Sequence, residues 1–292
     1  MTDPIQSTEA TPALVRTHFK DWAKPGRVPP GDSSGVRAGD GESLDALSGH
    51  FRLLQLRDGH RFSTDDLLAA WYGTQCCPSA GSVLDLGSGI GTVGMIAAWR
   101  LQGARFVTVE AQSQSVALAR RSACYNGIES RYEIREGDFR HPDVLKPDER
   151  FDLILGSPPY FPPGSGVLGD HPQKIACRFE LRGDVRDYCA TAGRHLASGG
   201  CVALVFPWAE DQRGRLMEGA NASGLCILRQ RSVVFRDGEP PLVGVFCLMR
   251  ANDLPAPFRA TPLEEPPLII RRRDGAIDPE YSRIKMTIGF PP

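Results

Sequence analysis

The sequence lacks several features that would assign it to a common class of protein. No apolar run reaches the roughly 18–20 residues that a bilayer-spanning helix needs, so no transmembrane helix is expected. The N-terminus has no basic stretch followed by an apolar one, so no secretory signal is expected. The eight cysteines form no CxxC pair and lie mostly in apolar runs, which disfavours zinc sites and disulfide frameworks. We therefore expect reduced thiols, no metal ion and a cytoplasmic location.

An excess of charge of either sign is also missing. The chain has 34 Lys and Arg against 35 Asp and Glu, a net charge of −1, which excludes nucleic-acid binding by bulk charge alone. Basic clusters remain at Arg229–Arg231 and Arg271–Arg273, and Arg178 and Arg182 lie close together. These arginines are either contacts for an RNA backbone or solvated surface residues, so any RNA contact is expected to be local.

The composition is that of a globular protein. Hydrophobic residues make up 41% and charged residues 24% of the 292 residues, which suits one large domain. Residues 1–47 are rich in Pro, Gly, Ser and Asp and are predicted to be a flexible N-terminal tail. Residues 48–292 are predicted to form the domain, with a C-terminal extension from about residue 251.

Apolar strands alternate with helical segments from residue 82 onwards. Such continuous apolar strands indicate an α/β fold with a mainly parallel sheet covered by helices on both faces, and seven strands are expected. The end of the chain can add an edge strand and a short helix. Before the alternation begins, HFRLLQLRDGHRF predicts a strand pair around a turn at Asp58 and Gly59, followed by a capped helix.

The segment VLDLGSGIGTVG joins a buried strand to a helix through a glycine loop. Gly87, Gly89 and Gly91 let the backbone turn sharply and approach a ligand, while the helix N-terminus offers free N–H groups. Asp85 lies within the strand, where it would repel a phosphate but attract a sulfonium or an ammonium. The spacing alone is also compatible with a nicotinamide cofactor.

Two further acids lie at the ends of the next two strands. Glu110 ends the second strand, about 20 residues after the loop, where an acid binds ribose hydroxyls in doubly wound folds. Asp138 follows the third strand in EGDFR, where an adenine amino group can be held. The fourth strand, FDLILG, is followed by a further motif, the tetrad SPPY. Three acids and a glycine loop at successive strand ends predict a nucleoside-binding site.

This set of motifs resembles the Rossmann-like class I methyltransferases that use S-adenosyl-L-methionine, over about residues 50–250. The resemblance implies that Asp85, Gly87 and Gly89 flank the methionine part of the cofactor. It further implies that Glu110 binds the ribose and Asp138 the adenine.

The tetrad SPPY resembles the (N/D/S)PP(Y/F) motif of class I enzymes that methylate a planar nitrogen. Acceptors on both amine hydrogens favour the pyramidal, positively charged nitrogen that develops during attack. The resemblance implies that Ser157 and the Pro158 carbonyl are these acceptors, that Pro159 stiffens the loop, and that Tyr160 stacks on a flipped base.

Two other segments narrow the resemblance to the bacterial tRNA1(Val) (adenine-37-N6)-methyltransferases. GHRFSTDDLLAAWYG is similar to that family's segment before the glycine loop and implies that Thr64 and Asp65 help to close the cofactor pocket. The segment after the tetrad and DPEYSRI near the C-terminus are also similar, and they imply that Phe161 and Arg178 contact the substrate. The family has Asn where this chain has Ser157.

These motifs leave three hypotheses about function. The first is an S-adenosylmethionine-dependent N-methyltransferase for an RNA base, with adenine N6 in tRNA as the target and N6-methyladenosine as the product. The second is methylation of a small molecule or a protein side chain on the same fold. The third is an inactive, cofactor-binding partner that presents RNA to another subunit.

Overall fold

The computed structural model describes residues 17–162, 164 and 171–292, so residues 1–16 of the predicted tail lie outside the described residues. The strands in the described part are β1 His18–Phe19, β2 Trp22–Ala23, β3 Glu42–Ala46, β4 Arg52–Leu56, β5 Ser82–Leu86, β6 Arg105–Glu110, β7 Tyr132–Glu136, β8 Phe151–Gly156, β9 Leu196–Pro207, β10 Leu225–Arg236, β11 Val243–Arg250 and β12 Leu263–Arg271. The helices there are α1 Thr64–Cys76, α2 Thr92–Arg100, α3 Ser113–Asn126, α4 Pro172–Arg178, α5 Val185–His195, α6 Glu210–Ala222, α7 Ala256–Ala260 and α8 Pro279–Thr287. None of these helices is long and apolar enough to cross a membrane.

The main sheet confirms the predicted α/β fold with one more strand than expected. In the described part of the chain it has eight strands in the order β12-β10-β11-β9-β8-β5-β6-β7. Strands β5 to β9 pair in parallel, whereas β11 is antiparallel to both β9 and β10. The eighth strand is β12, the edge strand that the C-terminal sequence allowed. Its Pro266 and Pro267 suit an edge, because a proline cannot donate to a neighbouring strand.

The core lies on both faces of this sheet. Val83 and Leu153 pack on the face covered by α1, α2 and α3, whereas Leu84 and Ile154 pack on the face covered by α5 and α6. Successive side chains of a strand point to opposite faces, so strands buried on both faces must be apolar throughout. This burial explains why the central strands read as unbroken apolar runs.

The strand pair before α1 differs from the expected one. Strand β4 pairs with β3 through the turn at residues 47–51, and Asp58 and Gly59 only lead from β4 towards α1. On its other side, β4 is held by α3, where Ser122 Oγ accepts from the Leu54 amide at 2.9 Å. The predicted pairing was wrong because β3 lies within residues 1–47, whose polar composition gives no strand signal.

Candidate active site

The carboxyl ends of β5, β6, β7 and β8 meet at one cavity of ≈ 670 Å³. In a parallel sheet the loops after neighbouring strands share one edge, so motifs far apart in sequence are brought together. The predicted residues that line this cavity are Asp65, Asp85, Gly87, Gly89, Glu110, Asp138, Ser157, Pro158, Pro159, Tyr160, Phe161 and Arg178. Helix α4 and the loop before α1 complete its wall.

The glycine loop has the conformation that its sequence requires. Gly87, Gly89 and Gly91 have φ of 61°, 55° and 88°, in the left-handed region that other residues enter at a cost. A Cβ on Gly87 would collide with the hydroxyl of Tyr188, whereas a Cβ on Gly89 would meet nothing within 4 Å. The loop therefore leaves open space above Gly89 at the start of α2.

Asp85 is a buried carboxylate behind the loop. One of its oxygens accepts from the Gly94 amide in the first turn of α2 at 2.9 Å. Burial raises the pKa of Asp85 to about 8, although the hydrogen bond from Gly94 acts in the opposite direction. Asp66, a wall residue that no sequence motif marked, has its pKa raised by burial to about 7. Near neutral pH, Asp85 is therefore mostly protonated and Asp66 about half protonated, unless a cation binds beside them.

Glu110 and Asp138 have different surroundings. Glu110 is buried and accepts from the backbone amides of Gly89, at 2.9 Å, and Gln112, at 2.7 Å; burial raises its pKa. Glu110 thereby links the end of β6 to the glycine loop. Asp138 instead forms a salt bridge with Arg140 at 2.6 Å, and this hydrogen-bonded pair lowers the pKa of Asp138.

The SPPY tetrad follows β8 directly and lies beside the glycine loop. The hydroxyl of Tyr160 donates to Asp65 Oδ2 at 2.8 Å. The ring packs edge-on against Phe206, with centroids 6.1 Å apart. Tyr160 is therefore held at both its ring and its hydroxyl, whereas the sequence predicted only that its ring stacks on a base.

Phe161 and Arg178, the two residues predicted to contact the substrate, lie next to each other. The Phe161 amide donates to the Arg178 carbonyl at 3.2 Å, and the Glu180 amide donates to the Phe161 carbonyl at 2.9 Å. Phe161 also contacts Phe179, with ring centroids 5.9 Å apart, and remains 40% exposed. The segment after the tetrad is thus fastened to the end of α4.

Thr64 is the predicted cofactor residue that does not line the cavity. It faces a second cavity of ≈ 490 Å³ between α1, β10, β12 and α8, which Tyr281 also lines. Adjacent positions in the first turn of a helix point in different directions, so Thr64 and Asp65 serve different surfaces.

Five Lys and Arg side chains line the first cavity, and one of them, Arg61, pairs with Asp45 at 2.9 Å. The other four form what we call the basic rim: Arg57, Lys174, Arg178 and Arg182. Among the described residues, no carboxylate forms a salt bridge with any of them. Two of the four, Arg178 and Arg182, are expected from the sequence. Arg57 and Lys174 were missed because they flank the motifs, and the fold alone brings them to the mouth.

The other predicted basic clusters have internal partners. Arg229 forms a salt bridge with Glu265 at 2.8 Å, and the buried Arg231 forms one with Glu280 at 2.9 Å. Arg231 also donates to the Pro266 carbonyl at 2.7 Å. These two arginines therefore connect β10 to the C-terminal segment through ion pairs. In the Arg271–Arg273 cluster, Arg273 pairs with Asp237 at 3.2 Å.

The inner part of the cavity suits a cationic nucleoside ligand. Asp65, Asp66, Asp85 and Glu110 all line it, and within the described ranges none of them forms a salt bridge with a basic side chain. The Ser88 hydroxyl is buried there without a hydrogen-bond partner among the described residues. A ligand with a sulfonium, an ammonium and ribose hydroxyls would neutralise the carboxylates and satisfy the hydroxyl.

Part of the chain is similar to known proteins. Residues 65–173, which include the glycine loop, the acids and the tetrad, match the family described as the methyltransferase small domain. This part of the chain is therefore similar to a methyltransferase small domain. Residues of this domain supply the inner wall of the cavity, and S-adenosyl-L-methionine is the methyl donor that it implies. This agrees with the predicted cofactor and with the prediction of a methyltransferase.

Relatives of the domain and of its fold extend the comparison. The chain is 38% identical over 106 residues to the type II methyltransferase M.CvrRI of Paramecium bursaria Chlorella virus XZ-6E, covering 36% of this chain and 24% of the viral protein. It is 30% identical over 154 residues to a tRNA1(Val) (adenine(37)-N6)-methyltransferase of Porphyromonas gingivalis, covering 50% of this chain and 58% of the relative. The chain thus spans less than two thirds of the length of either relative.

A solved structure supports the fold alone. A protein of Agrobacterium tumefaciens described as a predicted O-methyltransferase superposes with a TM-score of 0.59 at 21% identity. The superposition covers 78% of this chain and 98% of that one. The class I methyltransferase fold that the sequence predicts is therefore confirmed for most of the chain.

Proposed function

We propose that this protein transfers the methyl group of S-adenosyl-L-methionine to N6 of an adenine in tRNA. The observation that carries the proposal is the position of Ser157 and Pro158, directly after β8 and beside the cavity formed by the glycine loop and Glu110. The activity for which the Porphyromonas gingivalis relative is named supports adenine N6 of tRNA as the acceptor. Such a substrate would place the reaction in the cytoplasm.

The tetrad makes an exocyclic amine reactive. The lone pair of such an amine is delocalised into the ring, so acceptors at its two hydrogens favour the pyramidal nitrogen of the transition state. Ser157 Oγ and the Pro158 carbonyl are these acceptors, and neither proline offers an N–H that competes for them. When bound, the cofactor supplies an electrophilic methyl group, and placement of the amine in line with it provides much of the acceleration.

The anchoring of Tyr160 alters the role proposed for the aromatic residues. Its ring remains in the wall beside the amine, but its hydroxyl donates to Asp65. Phe161 offers the more exposed face, and its contact with Phe179 holds that face at the mouth. We assign the outer stacking surface for a flipped base to Phe161 and the inner wall to Tyr160.

The distribution of charge supports an RNA substrate. The basic rim lies at the mouth, outside the carboxylates that surround the proposed cofactor site. Phosphates attached to a base in the cavity would meet cations that have no carboxylate partner in the described structure. A free metabolite or an isolated protein side chain would make little use of them.

A methyl-transfer assay tests the proposal against the small-molecule and protein-side-chain alternatives. The enzyme is incubated with labelled methyl donor and either unmodified tRNA, free adenosine or a glutamine-containing peptide, over a series of salt concentrations. Transfer to tRNA that declines steeply as salt rises is expected. Salt-independent transfer to adenosine or the peptide, with none to tRNA, would replace RNA with the corresponding acceptor. Donor binding without transfer to any acceptor would support the inactive, RNA-presenting partner.

A further inference from the structure

The second cavity, of ≈ 490 Å³, is lined by cations that the proposed function does not use. Arg236 ends β10, Arg271 ends β12 and Lys285 lies on α8. Glu239 is the one acid among the described residues that line this cavity, and its carboxylate lies 3.9 Å from the Arg236 guanidinium. In the described part of the chain, neither Arg271 nor Lys285 forms a salt bridge. Three cations against one acid leave this lining with an excess of positive charge.

The acids that neighbour these lining residues in the chain have other partners. Asp237 pairs with Arg273 at 3.2 Å, and Asp274 pairs with Arg272 at 3.7 Å. The side chain of Asp278 accepts from a backbone amide in the first turn of α8 at 2.8 Å. The positive charge of the second cavity is therefore not neutralised by the acids beside it in the described structure.

Arg271 and Lys285 are close enough to affect each other. Burial, together with the positive charge of Arg271, lowers the pKa of Lys285. Arg271 Nη1 donates to the Gly275 carbonyl at 3.0 Å, so the turn after β12 holds the guanidinium in place. An anion bound by both side chains would accept hydrogen bonds from each and offset their repulsion.

The rest of the lining suits an organic phosphate. Phe235, Ile270 and Ile277 supply an apolar wall, and Thr64 and Tyr281 supply hydroxyl groups that can donate to phosphate oxygens. The volume lies within the range of about 300–1,000 Å³ that is typical of small-ligand sites, so it exceeds what a bare ion would need. Guanidinium and ammonium groups are the side-chain donors that commonly bind phosphate.

The second cavity lies at the same edge of the sheet as the candidate active site. Because β11 is antiparallel to both β9 and β10, β10 runs parallel to β9, and β12 runs parallel to β10. The carboxyl ends of β10 and β12 therefore lie on the side where β5 to β8 end. The first turn of α1 separates the two cavities, since Thr64 lines the second and Asp65 the first. A phosphate in the second cavity can thus come from an RNA backbone or from a free phosphate ester.

We propose that the second cavity is a binding site for an organic phosphate, whose phosphate group is held by Arg271 and Lys285 and whose organic part packs against Phe235 and Ile277. The proposal goes beyond the proposed function and holds whatever the methyl acceptor is. It gives the C-terminal segment, from β12 to α8, a ligand of its own.

Calorimetric titration with uridine monophosphate tests the site, with S-adenosyl-L-homocysteine at saturation to fill the nucleoside part of the first cavity. Lys285→Met and Arg271→Gln should each weaken binding about tenfold or more, because each removes a charge-assisted hydrogen bond. Lys285→Arg keeps the charge and should bind within about threefold of the wild type, which shows that the fold tolerates a change there. Arg283→Gln, on the exposed side of α8, and Arg182→Gln, in the basic rim, should leave the affinity unchanged. Uridine, which lacks the phosphate, should not bind.

Binding of unmodified tRNA over a range of salt concentrations distinguishes the two sources of the phosphate. If the RNA backbone supplies it, Lys285→Met weakens tRNA binding, lowers the slope of log affinity against log salt by about one, and uridine monophosphate competes with tRNA. If a free ester supplies it, Lys285→Met weakens the binding of uridine monophosphate alone. Either result supports the site. The proposal is wrong if Lys285→Met and Arg271→Gln change neither affinity, or if Arg182→Gln alone removes the binding of uridine monophosphate. Neither experiment measures methyl transfer, so a failure of the proposed function would not affect this test.

Discussion

At the scale of single residues, the site depends on carboxylates buried without cations. Asp85 and Asp66 both face the proposed cofactor site, with pKa values raised by burial to about 8 and about 7. A cationic ligand stabilises the ionised form, so binding must release protons in the range where these groups are still protonated.

We therefore predict that donor affinity rises with pH between about 5.5 and 7.5, a range that lies below the titration of an ordinary α-amino group. Calorimetry in buffers of different ionisation enthalpy measures both the affinity and the proton release. Asp85→Asn should weaken binding by about tenfold or more and reduce the proton release, since one charge and one titrating group are removed. An affinity independent of pH in the wild type would contradict this account of the acids.

The two glycines of the loop provide a matched pair. Gly87 and Gly89 have nearly the same φ, but only a Cβ at Gly87 would collide with Tyr188. Both alanine variants carry backbone strain on the order of 1–2 kcal/mol, and Gly87→Ala adds a steric clash. Gly87→Ala should therefore lower the midpoint of urea unfolding more than Gly89→Ala.

The same two alanine variants distinguish an effect on folding stability from an effect on donor binding. Gly89→Ala fills open space in the cavity, so its larger effect is expected on donor affinity. Combining Gly87→Ala with Tyr188→Phe should recover part of the lost stability. Equal losses of stability in the two single variants would show that the clash does not matter.

At the scale of elements, the sequence predicts the strands and loops that follow local patterns. It does not predict strand pairings that depend on contacts with residues distant in the chain. The strands β5 to β9 were predictable because burial on both faces requires unbroken apolar runs. The loops at their ends were predictable because a glycine turn between a strand and a helix, followed by an acid at the next strand end, is typical of nucleotide-binding sheets. The pairing of β4 with β3 was not, since β3 (Glu42–Ala46) is short and polar and owes its place to contacts with α3.

The sequence also does not predict how side chains are oriented within the site. Thr64 and Asp65 are neighbours in one motif, yet they face different cavities. Tyr188 approaches Gly87 from α5, about a hundred positions later in the chain, and no local pattern marks it. Arg231 looked like a surface cation, but its partner Glu280 comes from the C-terminal helix. In each case a residue distant in sequence determines the role.

The contact between α3 and β4 gives a prediction at this scale. Asn126 is buried, accepts from the Arg52 amide and donates to the Arg52 carbonyl, both at 2.8 Å. Asn126→Ala leaves both backbone groups without that partner, which should cost about 1–3 kcal/mol of unfolding free energy. Asn221→Ala, on the exposed side of α6, should change it by less than about 0.5 kcal/mol. Urea denaturation measures both, and equal effects would contradict the role of Asn126.

At the scale of the whole molecule, the near-neutral net charge of −1 includes two separated regions of opposite sign. The carboxylates lie inside the cavity and the basic rim lies at its mouth. The near-neutral total therefore gives little information about the substrate. The arrangement predicts that RNA binding depends on a few cations at one place rather than on the whole surface.

We predict that Arg182→Gln weakens tRNA binding and lowers the slope of log affinity against log salt by about one. Arg272→Gln, in a basic cluster whose residues do not line the cavity, should leave the slope unchanged. Binding titrations over a range of salt concentrations measure both variants. An effect of Arg272→Gln equal to that of Arg182→Gln would move the RNA contact away from the mouth.

The central claim is that the tetrad methylates an adenine amine in tRNA, and the identity of the product tests it most directly. Unmodified tRNA is treated with donor carrying a deuterated methyl group, digested to nucleosides and examined by mass spectrometry beside a Tyr160→Phe sample. The account predicts deuterated N6-methyladenosine as the product, with a much smaller yield from the variant. A deuterated methyl group on a ribose oxygen or on cytosine, or no labelled nucleoside, would contradict it.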